Sequence, residues 1–224
     1  MKKITFFICG VLSYAAYAIE LQEHEKWWQE HWVGEQHKTG DNLNTWIGGE
    51  NESSRVAARL HIFLKRYESV LDIPCGGCAD YRAFKKNSRI KHYKAADITQ
   101  SFINDAIEKG IDAEQASIEK IPLSDNTFDV TYSRHILEHL SSYEKALQEL
   151  VRVAKREVIV IFFMAPHDNK NHVISNKLHD GYPLYHNSYS KPLLEKFLSE
   201  LPKVDYYEWE SCMNEVILHI YLKS

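Results

Sequence analysis

Four cysteines are all that the 224 residues contain, too few for the disulfide framework that holds small secreted scaffolds together. A basic excess is also missing. Lys and Arg number 27 against 31 Asp and Glu, a formal net charge of −4, whereas a general nucleic-acid binder carries a basic excess or stripe. No nucleic-acid partner is therefore expected. The chain has no internal repeat and no low-complexity tract, which removes repeat arrays and compositionally biased segments from consideration. Its longest leading apolar run also falls short of the ~20 residues that a bilayer span needs. What is present is ordinary for a globular protein: 44% hydrophobic and 26% charged residues, at a length that fits one domain with a full-sized core.

The first residues depart from that pattern. Met1-Lys2-Lys3 is basic, and Ile4 to Ala18 is apolar with only Thr5, Ser13 and small residues intervening. The run closes on Ala16-Tyr17-Ala18, before the polar stretch from Glu20 to Glu23. Basic start, apolar centre and small-residue end describe a secretory signal peptide cleaved after Ala18. The expected organisation is a leader over 1–18, a lid or extension over 19–50 and the main domain over 51–224. Export is the expected address. The alternatives are an uncleaved anchor, which would be the sole membrane contact, and a helix of a cytoplasmic protein. In the extension, Trp27, Trp28 and Trp32 read as packing residues, and "DNLNTWIGG" reads as a lid with Trp46 as its apolar cover.

From Ser69 onward, short apolar runs alternate with helical stretches. Strands are expected at Val70–Ile73, His92–Ala96, Phe128–Tyr132 and Val158–Phe163, with a weaker one at Asp112–Ser117. Helices are expected at Tyr81–Lys86, Ser101–Lys109, Ser142–Ala154 and Lys191–Leu201. A further helix, capped from Asn51–Ser54 and running to about Tyr67, should carry Val56, Leu60, Phe63 and Leu64 on one face. Alternation of this kind implies a parallel sheet covered by helices on both faces. Val204–Trp209 and Glu215–Leu222 then read as a terminal hairpin. The expected class is a three-layer α/β, Rossmann-like fold, mostly parallel and ending in an antiparallel hairpin.

In such a sheet a ligand sits beyond the carboxyl ends of the strands, and the loop after the first strand needs glycine so that backbone N–H groups can approach it. "VLDIPCGGC" supplies Asp72 at a strand end and Gly76-Gly77 in the loop. Asp97, in "YKAADIT", ends the next strand near the ~20-residue offset at which an acidic residue meets ribose hydroxyls.

With "AADI", "ASIEKIPLSDNTFDVTYSRHILEHL" and the terminal hairpin, these residues resemble the class I S-adenosylmethionine (SAM)-dependent methyltransferases of the type 11 kind, over roughly Val56 to Leu222. The family's first loop usually reads D-x-G-C-G-x-G, and here Pro74 and Cys78 stand at two glycine positions. The resemblance implies SAM as cofactor. It places Asp72, Cys75 and Gly76 along its methionine end, Asp97 on the ribose, Ile98 on the adenine, Ser117 near the adenine amino group and Ile118 at a backbone contact. Ser133 would face the methionine moiety, with Arg134 and His135 toward the substrate.

Two short motifs point elsewhere. Cys75-Gly76-Gly77-Cys78 has the spacing of a redox dithiol. His135-Ile136-Leu137-Glu138-His139 matches the inverted zinc-protease pattern, with a carboxylate from Glu208, Glu210 or Glu215 as a third ligand. In the resembled family a similar segment follows the fourth strand without metal, and its second histidine is tucked against the loop before it. No metal is assigned on this reading.

Methyl transfer to oxygen or nitrogen requires a proton to be removed, and a base near neutral pKa suits that step, which selects His135. The long segment after the fifth strand, "MAPHDNKNHVISNKLHDGYPLYHNSYSK", holds His167, His172, His179, His186, Tyr182, Tyr185 and Tyr189. It reads as the acceptor-binding loop, with His167, Tyr185 and His186 as contacts to a small-molecule or saccharide-type acceptor. A fold that binds without catalysing is the rival of another class. Oligomeric state leaves no mark on the sequence.

The leader generates the first prediction. N-terminal sequencing of the protein made in its own cell is expected to begin at Ile19. An intact Met1–Ala18 in soluble cytosolic protein would overturn export.

Overall fold

A computed structural model describes Lys26 and residues 52–173, 176–179 and 182–223; for 176–179 and 182–184 only the backbone is described. The leader and, apart from Lys26, the extension with its lid and tryptophans lie outside the described residues. Among those described, no helix is long and apolar enough to cross a membrane.

The chain runs α1 (Ser53–Leu64), β1 (Ser69–Asp72), α2 (Tyr81–Lys86), β2 (His92–Asp97), α3 (Gln100–Glu108), β3 (Ala113–Gln115) and β4 (Phe128–Arg134). A 3₁₀ turn (Leu137–His139), α4 (Glu144–Val153), β5 (Ala154–Phe162), the hairpin β6 (Asn176–His179) and β7 (Tyr182–Tyr185), α5 (Lys191–Glu200), β8 (Val204–Cys212) and β9 (Glu215–Leu222) follow. One seven-stranded sheet has the order β3-β2-β1-β4-β5-β9-β8. β1 to β5 are mutually parallel, and β9 and β8 close the edge antiparallel. This is the expected class of fold.

β4 and β5 are buried almost throughout because parallel strands covered on both faces must be apolar on both. Alternate residues of β5 divide between two cores. Val158, Val160 and Phe162 pack with Leu147, Leu150, Leu194 and Leu198 of α4 and α5. Ile159 and Ile161 pack on the other face with Ala58 and Ile62 of α1, Phe84 of α2 and Ile103 of α3. The edge strand β8 keeps Asp205, Glu208 and Glu210 outward, which blunts an unpaired edge.

Two local expectations are corrected. α1 is present, but Glu52 is its N-cap and contributes no side-chain hydrogen bond, and the face it buries is not the apolar one. Val56, Leu60 and Leu64 are 43%, 54% and 72% exposed, whereas Arg55, Ala58, Arg59 and Ile62 are buried. The cause is electrostatic. Arg55 and Arg59, one helical turn apart, both reach the fully buried Asp80, Arg59 Nη1 at 2.9 Å, and Asp80 also accepts from Tyr132 Oη at 3.2 Å. A carboxylate withdrawn from water demands such partners, and that demand sets the rotation of the helix about its axis. The second correction is the segment after β5, expected as a loop, which carries the β6–β7 hairpin. Asp180-Gly181 between the two runs is a hairpin dipeptide that the sequence displays.

Glu157 is also completely buried. It accepts from Tyr67 Oη and lies against His61 and His219. Burial pushes its pKa up, but these contacts outweigh burial and bring it down to about 2.

Removing Asp80 should leave two buried guanidiniums without their main partner. Asp80→Ala is expected to lower unfolding free energy by about 3–5 kcal/mol in urea denaturation. A loss under about 1 kcal/mol would show that the pair does not hold α1 in place.

Candidate functional site

The carboxyl ends of the parallel strands bring the predicted residues to one edge of the sheet. Asp72 closes β1 opposite Ala95 of β2 and Tyr132 of β4; Asp97 closes β2, and Arg134 closes β4 beside Ile161 of β5. Between β1 and α2 the loop opens with a cis Ile73–Pro74 peptide. Cys75 N donates to Ala96 O at 2.9 Å, and Cys78 N donates to Cys75 O at 2.8 Å. Gly76 has φ of 48°, a left-handed conformation that glycine adopts freely, and its N–H donates to Asp97 Oδ2 at 2.9 Å. Thr99 N donates to Asp97 Oδ1 at 2.8 Å. Glycine loop and acidic strand end are thus one hydrogen-bonded unit. Burial raises the Asp97 pKa more than these backbone bonds lower it.

Asp72 belongs to the same buried group but faces differently. Its carboxyl accepts from Tyr93 Oη at 2.6 Å, and burial, followed by the neighbouring Asp80, pushes its pKa up to about 8. Cys75 and Cys78 are free thiols packed in the core with Val70, Tyr93 and Ile103. The contact with Cys78, then burial, then Asp97 raise the Cys75 pKa well above the ordinary thiol value. Both thiols are buried in the core, the opposite of the partly exposed, thiolate-stabilising setting that a reactive dithiol needs, which argues against the redox reading of CGGC. Cys78 adopts φ of 55°, a conformation that costs a non-glycine residue about 1–2 kcal/mol.

Beyond β2, Ile98 O accepts from Gln115 Nε2 at 2.9 Å. Ser117 is buried, its Oγ accepting from Glu119 N at 3.2 Å. The Ile118 side chain is part of the core. At the end of β4, Ser133 is completely buried and its Oγ has no hydrogen-bond partner among the described residues.

The next two residues form a charged cluster that sequence reading caught only in part. Arg134 Nη2 lies 3.0 Å from Glu215 Oε1 and also contacts Glu52. Ser54 Oγ donates to Glu215. His135, at φ of 55°, is pinned by its N–H donating to Ile161 O at 2.9 Å. Its Nε2 lies 2.6 Å from Glu215 Oε1, close enough for a strong electrostatic contact without the alignment of a hydrogen bond. Burial pushes the Glu215 pKa up, but His135, Ser54 and Arg134 outweigh it and bring it down to about 2. Burial depresses the His135 pKa below its ordinary 6.5 against the opposing pull of Glu215. The result is a neutral imidazole beside an ionised carboxylate. The sequence reading met Glu215 only as one of three candidate carboxylates for the HILEH zinc motif and not as an orienting partner of His135, because it opens β9, eighty residues downstream, with no local signal.

The HILEH segment is corrected. It forms a 3₁₀ turn rather than an α-helix, and Glu138, completely buried, accepts from Phe163 N at 2.7 Å and Met164 N at 3.2 Å. Burial outweighs those bonds and raises its pKa to about 7. His139 Nδ1 donates to Tyr185 O at 2.9 Å, so it packs against the segment after β5 and not against the loop before it. Its pKa falls to about 4, chiefly through burial. His135, Glu138 and His139 do not converge on a common point, and the metal-capable group among the described residues lies elsewhere. The zinc-protease reading falls.

The expected acceptor loop divides. His186 packs on His139 and Phe163, with ring centroids 5.1 and 6.2 Å apart, and Phe163 lies 5.2 Å from His135. His186 and the Tyr185 main chain thus reach the His135 neighbourhood. His167 instead pairs through its backbone with Tyr189 and Lys191, while its Nδ1 accepts from Asn169 N at 3.1 Å. His172 Nδ1 accepts from Ser190 N at 2.8 Å, and Tyr189 Oη donates to Leu137 O at 2.6 Å. These three pin the segment to the body of the protein.

Residues 71–162 match the family model described as a methyltransferase domain. Among curated proteins, the chain is 29% identical over 143 residues to the uncharacterised protein MJ0638 of Methanocaldococcus jannaschii, covering 62% of this chain and 58% of that protein. It is 27% identical over 154 residues to the uncharacterised methyltransferase YcgJ of Bacillus subtilis, 62% of this chain and 59% of that one. The aligned region thus spans about three fifths of the length of these relatives. Among solved structures, the fold is shared with the 1,6-didemethyltoxoflavin-N1-methyltransferase of Burkholderia thailandensis, solved with 1,6-didemethyltoxoflavin and S-adenosylhomocysteine. The TM-score is 0.64 at 15% identity, over 92% of this chain and 93% of that one. It is shared too with the PH0226 protein of Pyrococcus horikoshii, with TM-score 0.59 at 16% identity, over 84% and 99%. The methyltransferase-domain match over residues 71–162 and the sheet order built around them thus give the chain the class I, Rossmann-like methyltransferase fold of these solved structures.

Proposed function

We propose that the protein transfers a methyl group from SAM to a hydroxyl or amine of a small-molecule or saccharide-type acceptor, with His135 as general base and Glu215 as the carboxylate that orients it. The observation that carries this reading is His135 Nε2 set 2.6 Å from Glu215 Oε1 at the same sheet edge as the Gly76–Asp97 unit.

The residues present fit the cofactor. Each Asp97 oxygen accepts one backbone N–H and keeps a second lone pair for a ribose hydroxyl. Ser133 Oγ is an orphaned buried polar atom at the end of β4, a costly state unless a ligand satisfies it. Gly76, without a Cβ, leaves room for close approach. In this reading Asp97 holds the ribose, Ile98 packs on the adenine with Ser117 and Ile118 beside it, and Asp72, Cys75, Gly76 and Ser133 line the amino-acid end. When bound, SAM supplies an electrophilic methyl group on a sulfonium centre.

The chain's own part is to hold the acceptor in line, exclude water and take its proton. Glu215 beside Nε2 of His135 favours the tautomer protonated there, and Nδ1 then takes the acceptor's proton. The imidazolium so formed is stabilised by the adjacent carboxylate. Arg134, tied to Glu215 and Glu52, holds the pair in place, and His186 and Tyr185 border the acceptor. The acceptor class rests on these polar aromatic neighbours and on the toxoflavin enzyme of like fold, whose acceptor is a small molecule. The export expected from residues 1–18 suits this activity in a destination that supplies the cofactor.

Asp97→Ala is expected to weaken SAM binding in calorimetry by roughly 1–3 kcal/mol; unchanged affinity would remove ribose recognition. His135→Ala should lower kcat by about 10²–10⁴-fold with SAM affinity unchanged. Because the base must be neutral to act, the wild-type rate should rise with pH through an acid limb lying below 6.5 and stay flat above it. His135→Ala should lose that limb. SAM binding without transfer to any acceptor in a broad panel would favour a silent binding module instead.

A further inference from the structure

At the opposite end of the sheet from His135, three side chains from distant parts of the chain converge. His61 comes from the last turns of α1, Glu157 from β5 and His219 from β9. His61 Nε2 lies 2.9 Å from Glu157 Oε1, and His219 Nδ1 lies 2.9 Å from the same oxygen. All three potential ligand atoms fall within 4.8 Å of one another. Glu157 is five residues before Phe162, where β5 ends, which places this cluster ~16 Å from the carboxyl edge. The methyl-transfer machinery therefore does not use it.

We propose that His61, Glu157 and His219 bind one divalent transition-metal ion of the zinc class, with its open coordination position facing the adjoining cleft. Two imidazoles and one carboxylate are a donor set for zinc, and three protein ligands leave a fourth tetrahedral position for water. Zinc bonds to nitrogen and oxygen of ~2.0–2.2 Å require ligand atoms roughly 3.3–3.5 Å apart. The present 2.9 Å spacings thus need to widen by about 0.5 Å.

Two independent features support a ligand here. The first is the far side of His219, whose Nε2 lies 3.2 Å from Glu210 Oε2. A carboxylate on the non-ligating nitrogen is the arrangement that orients a metal-binding imidazole and selects its tautomer. With Nε2–H directed at Glu210, an unprotonated Nδ1 would face Glu157 lone pair to lone pair, so the position between them calls for a cation, either a proton or a metal. Metal entry releases that proton to water, and the proton that His61 directs at Glu157 from Nε2 moves to its Nδ1, which leaves both ligating nitrogens unprotonated. The second feature is access. A cleft of about 370 Å³, lined by His61, Glu208, Trp209, Glu210, His219 and Tyr221, opens onto the site. Its lining sets the Glu208 and Glu210 carboxylates beside the two imidazoles and the Tyr221 phenol, with Lys65 Nζ 4.9 Å over that ring, and the carboxylates draw cations. His61 is 19% exposed toward this side, while Glu157 is at 0% and His219 at 4%. The ion would join the C-terminal end of α1 to β5 and β9, while Arg55 and Arg59 hold the opposite half of that helix.

The test is titration of the chelator-treated full chain with Zn²⁺ by calorimetry, and with Co²⁺ by visible absorption. One ion per chain is expected, with intense tetrahedral Co²⁺ bands and a raised melting temperature. His61→Gln, at a partly exposed position that tolerates the change, and His219→Gln should each weaken Zn²⁺ by at least about 10-fold and abolish the Co²⁺ bands. Melting of each variant without metal serves as the folding control. No binding to the wild-type chain would overturn the site. So would binding that both variants retain unchanged, which would mark a surface ion.

Discussion

A buried carboxylate that must find positive partners organises this protein. Asp80 follows the first loop directly and is shut away from water, and Arg55 and Arg59 of α1 turn inward to meet it. Apolar Val56, Leu60 and Leu64 are left facing solvent as a consequence. An uncompensated buried charge costs more than a few exposed methyl groups, so the charge wins the helix face. Once α1 is fixed in this rotation, Ser54 stands against Glu215 at one end and His61 against Glu157 at the other. The same helix therefore borders both the His135 edge and the histidine cluster at the far end of the sheet.

The antiparallel hairpin has a similar double consequence. β9 runs against β5, with Val216 opposite Phe162 and Tyr221 opposite Glu157. Its first residue is thereby delivered to the carboxyl edge, where the parallel strands end, and its later residues to the amino edge. Glu215 consequently meets Arg134 and His135, while His219 meets Glu157. A parallel last strand would have exchanged these positions. The strand that closes the sheet thus supplies one functional candidate to each end, and the charged outer strand β8 adds Glu210 to the second.

Electrostatics at the first site follow from burial graded over short distances. Asp72 and Asp97 are both pushed up by burial, Asp72 to about 8 with the neighbouring Asp80 adding to it, and their hydrogen-bond partners, a phenol and backbone amides, only partly oppose that rise. Glu215, more open and held by His135, Ser54 and then Arg134, is brought down to about 2. Carboxyls along one edge thus differ by several units, and only the last is suited to steady a developing imidazolium. The thiols of the CGGC loop sit on the wrong side of this gradient, buried and near acids, and so remain core residues.

Much of this was legible in the residues alone. Alternating apolar runs and helical stretches set the three-layer class, strand and helix bounds to within a few residues, and the terminal hairpin, because periodicity and burial on both faces are local properties of the chain. Asp72 and Asp97 could be placed at strand ends and Gly76 in the loop after β1 for the same reason, while the family resemblance pointed to Ser133 and His135. What the chain could not display is anything made by two distant segments facing each other. The inward turn of Arg55 and Arg59, the approach of Glu215 to His135, the 3₁₀ turn that disperses HILEH and the meeting of His61 with Glu157 and His219 all depend on which elements become neighbours. Those pairings are decided by satisfying buried charge and by strand direction, and neither is written in any short stretch of sequence.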